Sequence, residues 1–113
     1  MNRVVLIEDE KRLNALITEY LGKNNFEVHS FESPQEAMEV DSPDVVMFNL
    51  PFNIDNYYSD FMALKECYPK AKTIVVSSFW EFTPKDREVA GMDIFMKKPV
   101  SMGSILENIN KLI

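Results

Sequence analysis

Short apolar runs rich in β-branched residues recur along the chain, and amphipathic stretches lie between them. The runs occupy residues 4–7, 26–29, 45–48, 73–76 and 94–96. Runs of this length predict buried β-strands, and the stretches that separate them have the patterning of helices. The sequence therefore predicts a strand followed by a helix, repeated five times.

Two of the amphipathic stretches place apolar residues at the spacing of an α-helix. In the first they are Leu13, Leu16, Ile17, Tyr20 and Leu21, and in the last they are Ile105, Ile109, Leu112 and Ile113. Positions three and four residues apart share one side of a helix. Each set therefore predicts a helix with one apolar stripe.

Two further helices are predicted from their start signals. Ser33-Pro34-Gln35-Glu36 offers an N-cap hydroxyl, a proline at the first helical position and a glutamate at the third. Thr83-Pro84-Lys85-Asp86 has nearly the same form and predicts the start of the fourth helix. A helical pattern between these segments places Cys67 near the end of a helix.

The strand segments indicate how the sheet is covered. Residues 45–48 (VVMF) are all apolar, so both faces of this strand are expected to be buried. Burial on both faces is typical of a parallel sheet with helices on each side. Five strand–helix units predict an α/β fold with a doubly wound parallel sheet, and 113 residues suit one domain spanning 1–113.

Composition excludes several classes of function. Acidic residues outnumber basic ones by 18 to 12, which gives a formal charge of -6 and argues against direct nucleic-acid binding. The apolar run after Met1 is too short for a signal peptide or a membrane span, so a cytoplasmic location is predicted. Cys67 and His29 are the only residues of their kinds. Thiolate clusters and His-rich zinc sites are therefore excluded.

Both single residues are expected to be structural. Cys67 is predicted to be a small buried or half-buried residue rather than a reactive thiol. His29 lies in a strand-like stretch and is expected to serve the fold rather than a reaction.

Polar residues follow most of the predicted strands, where ligands bind in open parallel sheets. They are Glu8 and Asp9 after the first strand, Asn49 after the third, Ser77 and Ser78 after the fourth, and Lys98 after the fifth. Two acids beside a carboxamide oxygen fit Mg²⁺, and a hydroxyl with an ammonium would hold an anionic oxygen. Alone, Glu8-Asp9-Glu10 would be interpreted as the solvated start of a helix. The matching positions at the other strand ends favour a shared site.

Four segments, in this order, resemble the receiver domain of response regulators in bacterial two-component signalling. They are VVLIEDE at 4–10, DVVMFNL at 44–50, TIVVSS at 73–78 and GMDIFMKKP at 91–99. The resemblance covers essentially the whole chain. It implies a flavodoxin-like (βα)5 fold with strand order 2-1-3-4-5 and a role in phosphorelay signal transduction.

The resemblance also implies a role for each matching residue. Glu8 and Asp9 resemble the metal-binding acids, Ser77 the hydroxyl that contacts the phosphoryl group, and Lys98 its cationic partner. Phe95 resembles the aromatic residue that moves with that hydroxyl. Ser78 remains an alternative to Ser77. Lys98 is preferred to Lys97 because it directly precedes Pro99, at a bond that is usually cis in this family.

Asn49 is the main departure, because it stands where receivers carry the aspartate that accepts the phosphoryl group. A carboxylate is needed to attack phosphorus, and a neutral amide is a poor nucleophile. The chain is therefore predicted to be an atypical receiver, or pseudo-receiver, without enzymatic activity. The following segment, residues 50–58, also departs from the family pattern, since its proline comes early and it lacks the usual glycine.

The cofactor expected is none, or Mg²⁺ bound weakly by Glu8 and Asp9 with Asn49. The expected partners are proteins, namely a sensor kinase, a regulator or an output domain, with neither nucleic acid nor membrane. A homodimer would use the face formed by the fourth helix, fifth strand and fifth helix.

Two other hypotheses remain open at this point. One is a small Mg²⁺-dependent enzyme or a nucleotide or flavin binder on the same scaffold. The three glycines, Gly22, Gly91 and Gly103, argue against it because none lies in a phosphate-binding loop. The other is a receiver that uses Asp9 or Asp55 as a substitute acceptor.

Overall fold

The structure is a computed structural model that describes residues 1–49, 57–78 and 91–113. Five parallel strands form one sheet in the order β2-β1-β3-β4-β5. The strands are β1 Asn2–Ile7, β2 Phe26–Phe31, β3 Val45–Asn49, β4 Lys72–Ser77 and β5 Ile94–Lys97. The described helices are α1 Lys11–Lys23, α2 Tyr57–Cys67 and α3 Met102–Leu112, with a short 3-10 helix at Pro34–Ala37. The predicted flavodoxin-like, doubly wound fold is confirmed.

Alternate residues of each central strand enter two separate apolar layers. Val4 and Leu6 pack in one layer with Ile17 of α1 and Ile109 of α3. The second layer contains Val5 and Ile7 with Phe61 and Leu64 of α2. Because neighbouring residues of a strand point to opposite faces, both faces of β1 are covered. The all-apolar strands predicted from the sequence therefore reflect burial on two sides.

The apolar stripe predicted for α1 is wrong at one position. Leu16 is 50% exposed, whereas Ile17 and Leu21 are fully buried. Asn14 is buried on the same side of the helix as these two residues. Its amide binds backbone carbonyls at the strand ends, so the helix presents residues 14, 17 and 21 to the sheet and Leu16 faces away.

The helix predicted from Ser33 is also wrong in extent. The segment forms only the 3-10 helix Pro34–Ala37, and Ser33 makes no side-chain capping hydrogen bond. The hydroxyl of Tyr68 donates to the carbonyl of Ala37 and accepts from the backbone N–H of Val40 at 2.8 Å. These backbone groups would have to bond within the segment if the helix continued. Their bonds to Tyr68 therefore end it after one turn.

Cys67 lies at the end of α2, as predicted, but its side chain is exposed rather than buried or half-buried. Its thiol donates to the carbonyl of Met38 at 3.1 Å. His29 lies on β2 and pairs with Glu27 at 2.7 Å. The hydrogen bond from His29 lowers the pKa of Glu27 most, and the hydrogen bond from the guanidinium of Arg3 is the second largest cause.

The last helix begins at an N-cap that was not predicted from the sequence. The hydroxyl of Ser101 accepts from the N–H of Ser104 at 3.0 Å. Ile105 and Ile109 are fully buried, but Ile113 is 48% exposed beyond the helix end. The fourth helix predicted from Thr83 falls outside the described residues. Among those residues, no helix has the length and apolar content needed to cross a membrane.

Tyr68→Phe is expected to lower the free energy of unfolding by about 1–3 kcal/mol, because it leaves the Ala37 carbonyl and the Val40 N–H without their partner. Urea unfolding followed by circular dichroism measures the change. Tyr20→Phe is the control, since no hydrogen bond of the Tyr20 hydroxyl occurs in the described part of the chain. Equal stability of the two variants would contradict the proposed role of Tyr68.

Candidate functional site

The carboxyl ends of the two central strands bring Glu8 and Asn49 together. Glu8 follows β1, and its N–H donates to the carbonyl of Phe31 at the end of β2 at 2.9 Å. Asn49 is the last residue of β3, and its Nδ2 donates to Glu8 Oε1 at 3.1 Å. The structure therefore places these two predicted site residues in direct contact.

Glu8 is an acid held out of water, with 1% of its surface exposed. Its Oε2 accepts a weak hydrogen bond from the N–H of Glu10 at 3.4 Å. Burial raises the pKa of Glu8, and the neighbouring Asp9 carboxyl adds to the rise. The hydrogen bond from Asn49 and the positive charge of Lys98 act in the opposite direction. Desolvation is the largest effect, so Glu8 holds its proton to a higher pH than an exposed glutamate.

Within the described residues, only the nitrogen of the Asn49 amide forms a hydrogen bond. The side chain is 2% exposed, and Nδ2 bonds to Glu8. Oδ1 is buried without a hydrogen-bond partner among the described residues. A buried acceptor in this state is uncommon, because desolvation is not offset by a new bond. The site thus presents one unsatisfied acceptor beside one buried acid.

Asn14 supports the site and was not identified from the sequence. Its Nδ2 donates to the carbonyl of Glu8 at 3.1 Å and to that of Phe31 at 3.0 Å. These bonds join α1 to the ends of β1 and β2 and fix the backbone that carries Glu8. The signal that could have identified it is its spacing, since Asn14 precedes Ile17 by three residues and Leu21 by seven.

Lys98 and the two serines lie at the next strand ends. The N–H of Lys98 donates to the carbonyl of Ser77 at 2.9 Å, and the Lys98–Pro99 bond is cis, as the resemblance implies. Ser77 is fully buried, whereas Ser78 is exposed and lines a cavity with Asn49 and Lys98. The preference for Ser77 as the hydroxyl of the site therefore stays a prediction.

Phe95 lies on β5, one strand away from the two serines and three residues before Lys98. It is half-buried on β5, opposite Val75 of β4, and packs against the second apolar layer. Its position beside β4 agrees with the resemblance. Its movement with the serine stays a prediction. Asp55 and the rest of the departing loop, up to residue 56, fall outside the described residues.

The described oxygens fit a firmly bound Mg²⁺ poorly. Asp9 is exposed, and Glu8 Oε1 already accepts from the amide nitrogen of Asn49. Asn49 therefore turns a donor, rather than an oxygen, toward the buried acid. No group of three or more acidic, histidine or cysteine side chains within the described ranges is arranged to hold a metal ion. Mg²⁺ needs near-octahedral oxygen ligands and gives up water reluctantly. The described residues supply only the carboxylates of Glu8 and Asp9, which is too few for firm binding.

Solved structures with the same fold include response regulators and their receiver domains. Chemotaxis protein CheY4 of Vibrio cholerae matches with a TM-score of 0.85 at 15% identity, covering 100% of this chain and 99% of that one. A CheY-like receiver domain from Methanospirillum hungatei JF-1 gives 0.84 at 18% identity, covering 98% and 92%. The Thermotoga maritima response regulator TrrA, in complex with Mg²⁺ and BeF, gives 0.82 at 19% identity, covering 100% of both chains.

At these identities the likeness establishes the fold. The sequence matches no protein-family model and no curated protein.

Glu8→Gln is expected to raise the free energy of unfolding at pH 7, because it removes a buried charge and keeps an oxygen for Asn49 Nδ2. With the pKa of Glu8 raised in the folded state, the folded protein retains a proton that the unfolded chain loses near its ordinary value of 4.5. The native chain should therefore lose stability as the pH rises through and above that value. The variant should lose less.

Urea unfolding at a series of pH values between about 4 and 8 measures the difference. Glu10→Gln is the matched control, since Glu10 is exposed at the start of α1. Parallel pH profiles for the native chain and Glu8→Gln would show that burial does not perturb Glu8.

Proposed function

We propose that residues 1–113 form one receiver-like signalling domain of the two-component type that does not accept a phosphoryl group at the usual position. It acts in the cytoplasm through protein contacts and catalyses no reaction of its own. The observation that carries the proposal is Asn49, buried at the end of β3 with its amide bonded to Glu8. A neutral amide has no carboxylate oxygen with which to attack phosphorus.

The geometry around Asn49 supports the other residue roles. Glu8 and Asp9 follow β1, the Ser77–Ser78 pair ends β4, and Lys98 follows β5, so these groups share one edge of the sheet. The positive charge of Lys98 acts on Glu8. TrrA, a response regulator with the same fold, was solved with Mg²⁺ and BeF. In this chain the amide of Asn49 occupies an oxygen of Glu8 that a metal ion would need.

Protein partners fit this proposal better than nucleic acid or membrane. The chain carries a formal charge of -6, which disfavours phosphate backbones and anionic lipid surfaces. A sensor kinase, a regulator or an output domain is the proposed class of partner. A homodimer would use β5, α3 and the predicted fourth helix. Of these three elements, the structure describes β5 and α3.

The native chain is expected to bind Mg²⁺ with an affinity of about millimolar or weaker, because Asn49 supplies no charged oxygen and Glu8 is engaged with its amide. Isothermal titration calorimetry at pH 7 measures this affinity. Micromolar binding would contradict the inference that the hydrogen bond from Asn49 keeps Glu8 from serving as a metal ligand.

Asn49→Asp restores the missing carboxylate with little change in volume. The variant is expected to bind Mg²⁺ about tenfold more tightly, since a third negative charge enters the site. Without metal it should lose on the order of 1 kcal/mol of stability, because Glu8 loses the hydrogen bond from Asn49 Nδ2 and the new carboxylate repels it. Asn110→Asp makes the same change at an exposed position of α3 and is the matched control.

Intact-mass spectrometry after incubation with acetyl phosphate and Mg²⁺ tests the proposed function itself. Asn49→Asp should gain one labile phosphoryl group, whereas the native chain and Asn110→Asp should gain none. Modification of the native chain at Asn49 would overturn the proposal, and modification on Asp9 or another residue would identify a receiver with a substitute acceptor. If Asn49→Asp stays unmodified and binds Mg²⁺ no better, the remaining residues do not form a receiver pocket.

A further inference from the structure

Strand β2 forms one edge of the sheet and offers backbone hydrogen-bonding groups to a further strand. Among the described strands, its one neighbour is β1. The carbonyl of Phe31 accepts from the N–H of Glu8 at the end of β1, and the backbone groups of alternate residues in a strand point to the same side. The N–H and C=O groups of Phe26, Val28 and Ser30 therefore point away from the sheet. No other strand or loop of the described residues bonds to them.

This edge lacks the features by which proteins usually prevent strands from pairing. Protected edge strands are short, or they carry lysine, proline or a bulge. Strand β2 has six residues, FEVHSF, and stays in register with β1 along its whole length. The opposite edge strand, β5, has four residues, ends at Lys97 and is followed by Lys98 and Pro99. The sheet is therefore protected at β5 and open at β2.

The face of β2 that carries Glu27 and His29 is also accessible. The connection from β2 to β3, which the structure describes in full, contains the 3-10 helix Pro34–Ala37 and no α-helix. Both side chains remain 41% exposed. Glu27 Oε2 binds Arg3 and His29, while Oε1 has no hydrogen bond within the described ranges. This carboxylate can therefore accept one further donor.

A second copy of the chain complements this edge in one register. If a two-fold axis passes beside Val28, the two β2 strands run antiparallel and each Val28 bonds to its counterpart through both N–H and C=O. Glu27 then lies directly opposite His29 of the second copy, and the same pair recurs across the axis. Side chains at such positions are close, and an acid opposite a hydrogen-bond donor is favourable. Moving the axis by one residue would place Glu27 opposite Glu27, or His29 opposite His29.

We propose that two copies of this chain associate by antiparallel pairing of their β2 strands, with Glu27 of each copy opposite His29 of the other. The two sheets then form one continuous sheet. This surface differs from the one formed by β5, α3 and the predicted fourth helix. The inference does not depend on phosphoryl acceptance at Asn49, so it can fail without affecting the proposed function. A six-residue strand pair is a small interface, so the expected dissociation constant is on the order of 10–100 µM.

Sedimentation equilibrium of the full chain tests the association, at concentrations from about 10 µM to about 1 mM. The native chain should pass from monomer to dimer over this range. Hydrogen exchange followed by NMR should show slower exchange of the Val28 and Ser30 amides at the highest concentration. A chain that stays monomeric would leave the edge for an extended segment of another protein and overturn the proposal. A dimer that does not protect these amides would use another surface and overturn it as well.

Ser30→Pro removes one of the outward N–H groups and should weaken dimerisation about tenfold or more, because the two-fold axis makes each dimer lose two hydrogen bonds. The bonds between β2 and β1 should persist, since proline is tolerated where the N–H of an edge strand faces solvent. Ser30→Ala is the matched control, because it keeps the N–H and should dimerise like the native chain. Equal dimerisation of the two variants, both folded, would overturn the proposal.

His29→Glu places a carboxylate opposite Glu27 of the other copy and should weaken dimerisation about tenfold. The double variant Glu27→His/His29→Glu exchanges the two residues, so it should recover most of the lost affinity. Circular dichroism checks that both variants are folded. A folded double variant that dimerises no better than His29→Glu would overturn the proposed register. If a variant does not fold, the hydrogen exchange of the native chain decides.

Discussion

The hydrogen bond from Asn49 to Glu8 is the interaction on which the rest of the site depends. It joins the ends of the two central strands and gives a buried carboxylate one of its few partners. A carboxylate taken out of water needs such partners, since desolvation otherwise forces it to take up a proton. The amide that provides the bond cannot also serve as a nucleophile. The same side chain therefore joins the strand ends and, under the proposed function, leaves the site without a phosphoryl acceptor.

Two other polar side chains also form hydrogen bonds to backbone groups of other segments of the chain. Asn14 binds the carbonyls of Glu8 and Phe31, and Tyr68 binds the backbone at Ala37 and Val40. In both cases a polar side chain on or next to a helix satisfies strand-end or loop groups that regular structure leaves unpaired. These bonds fix the carboxyl end of β2 and the segment that follows it, and β2 has a neighbouring strand on only one side.

Apolar periodicity was sufficient to predict the five strands and their parallel sheet, because burial on both faces leaves no room for polar residues within them. It was insufficient where a polar side chain decides the packing. The hydrophobicity pattern predicts that Leu16 faces the sheet. In the structure Asn14 faces the sheet and Leu16 is half-exposed. The position of the helix start after Ser33 was predicted correctly, but Ser33 makes no capping hydrogen bond. Hydrogen bonds from Tyr68, about thirty residues later, end that helix. Such long-range bonds leave no local signature in the sequence.

The burial of Glu8 also has a consequence for how the chain folds. Glu8 and Asn49 are 41 residues apart, so their bond forms only when β1 and β3 pair. Until then the carboxylate is hydrated, and pairing must remove its water before the amide can replace it. Contacts between distant residues already slow folding through the entropy of loop closure. The acid at the end of β1 adds a desolvation barrier to the same step, so the assembly of the central strands should be faster in mildly acidic solution than at neutral pH.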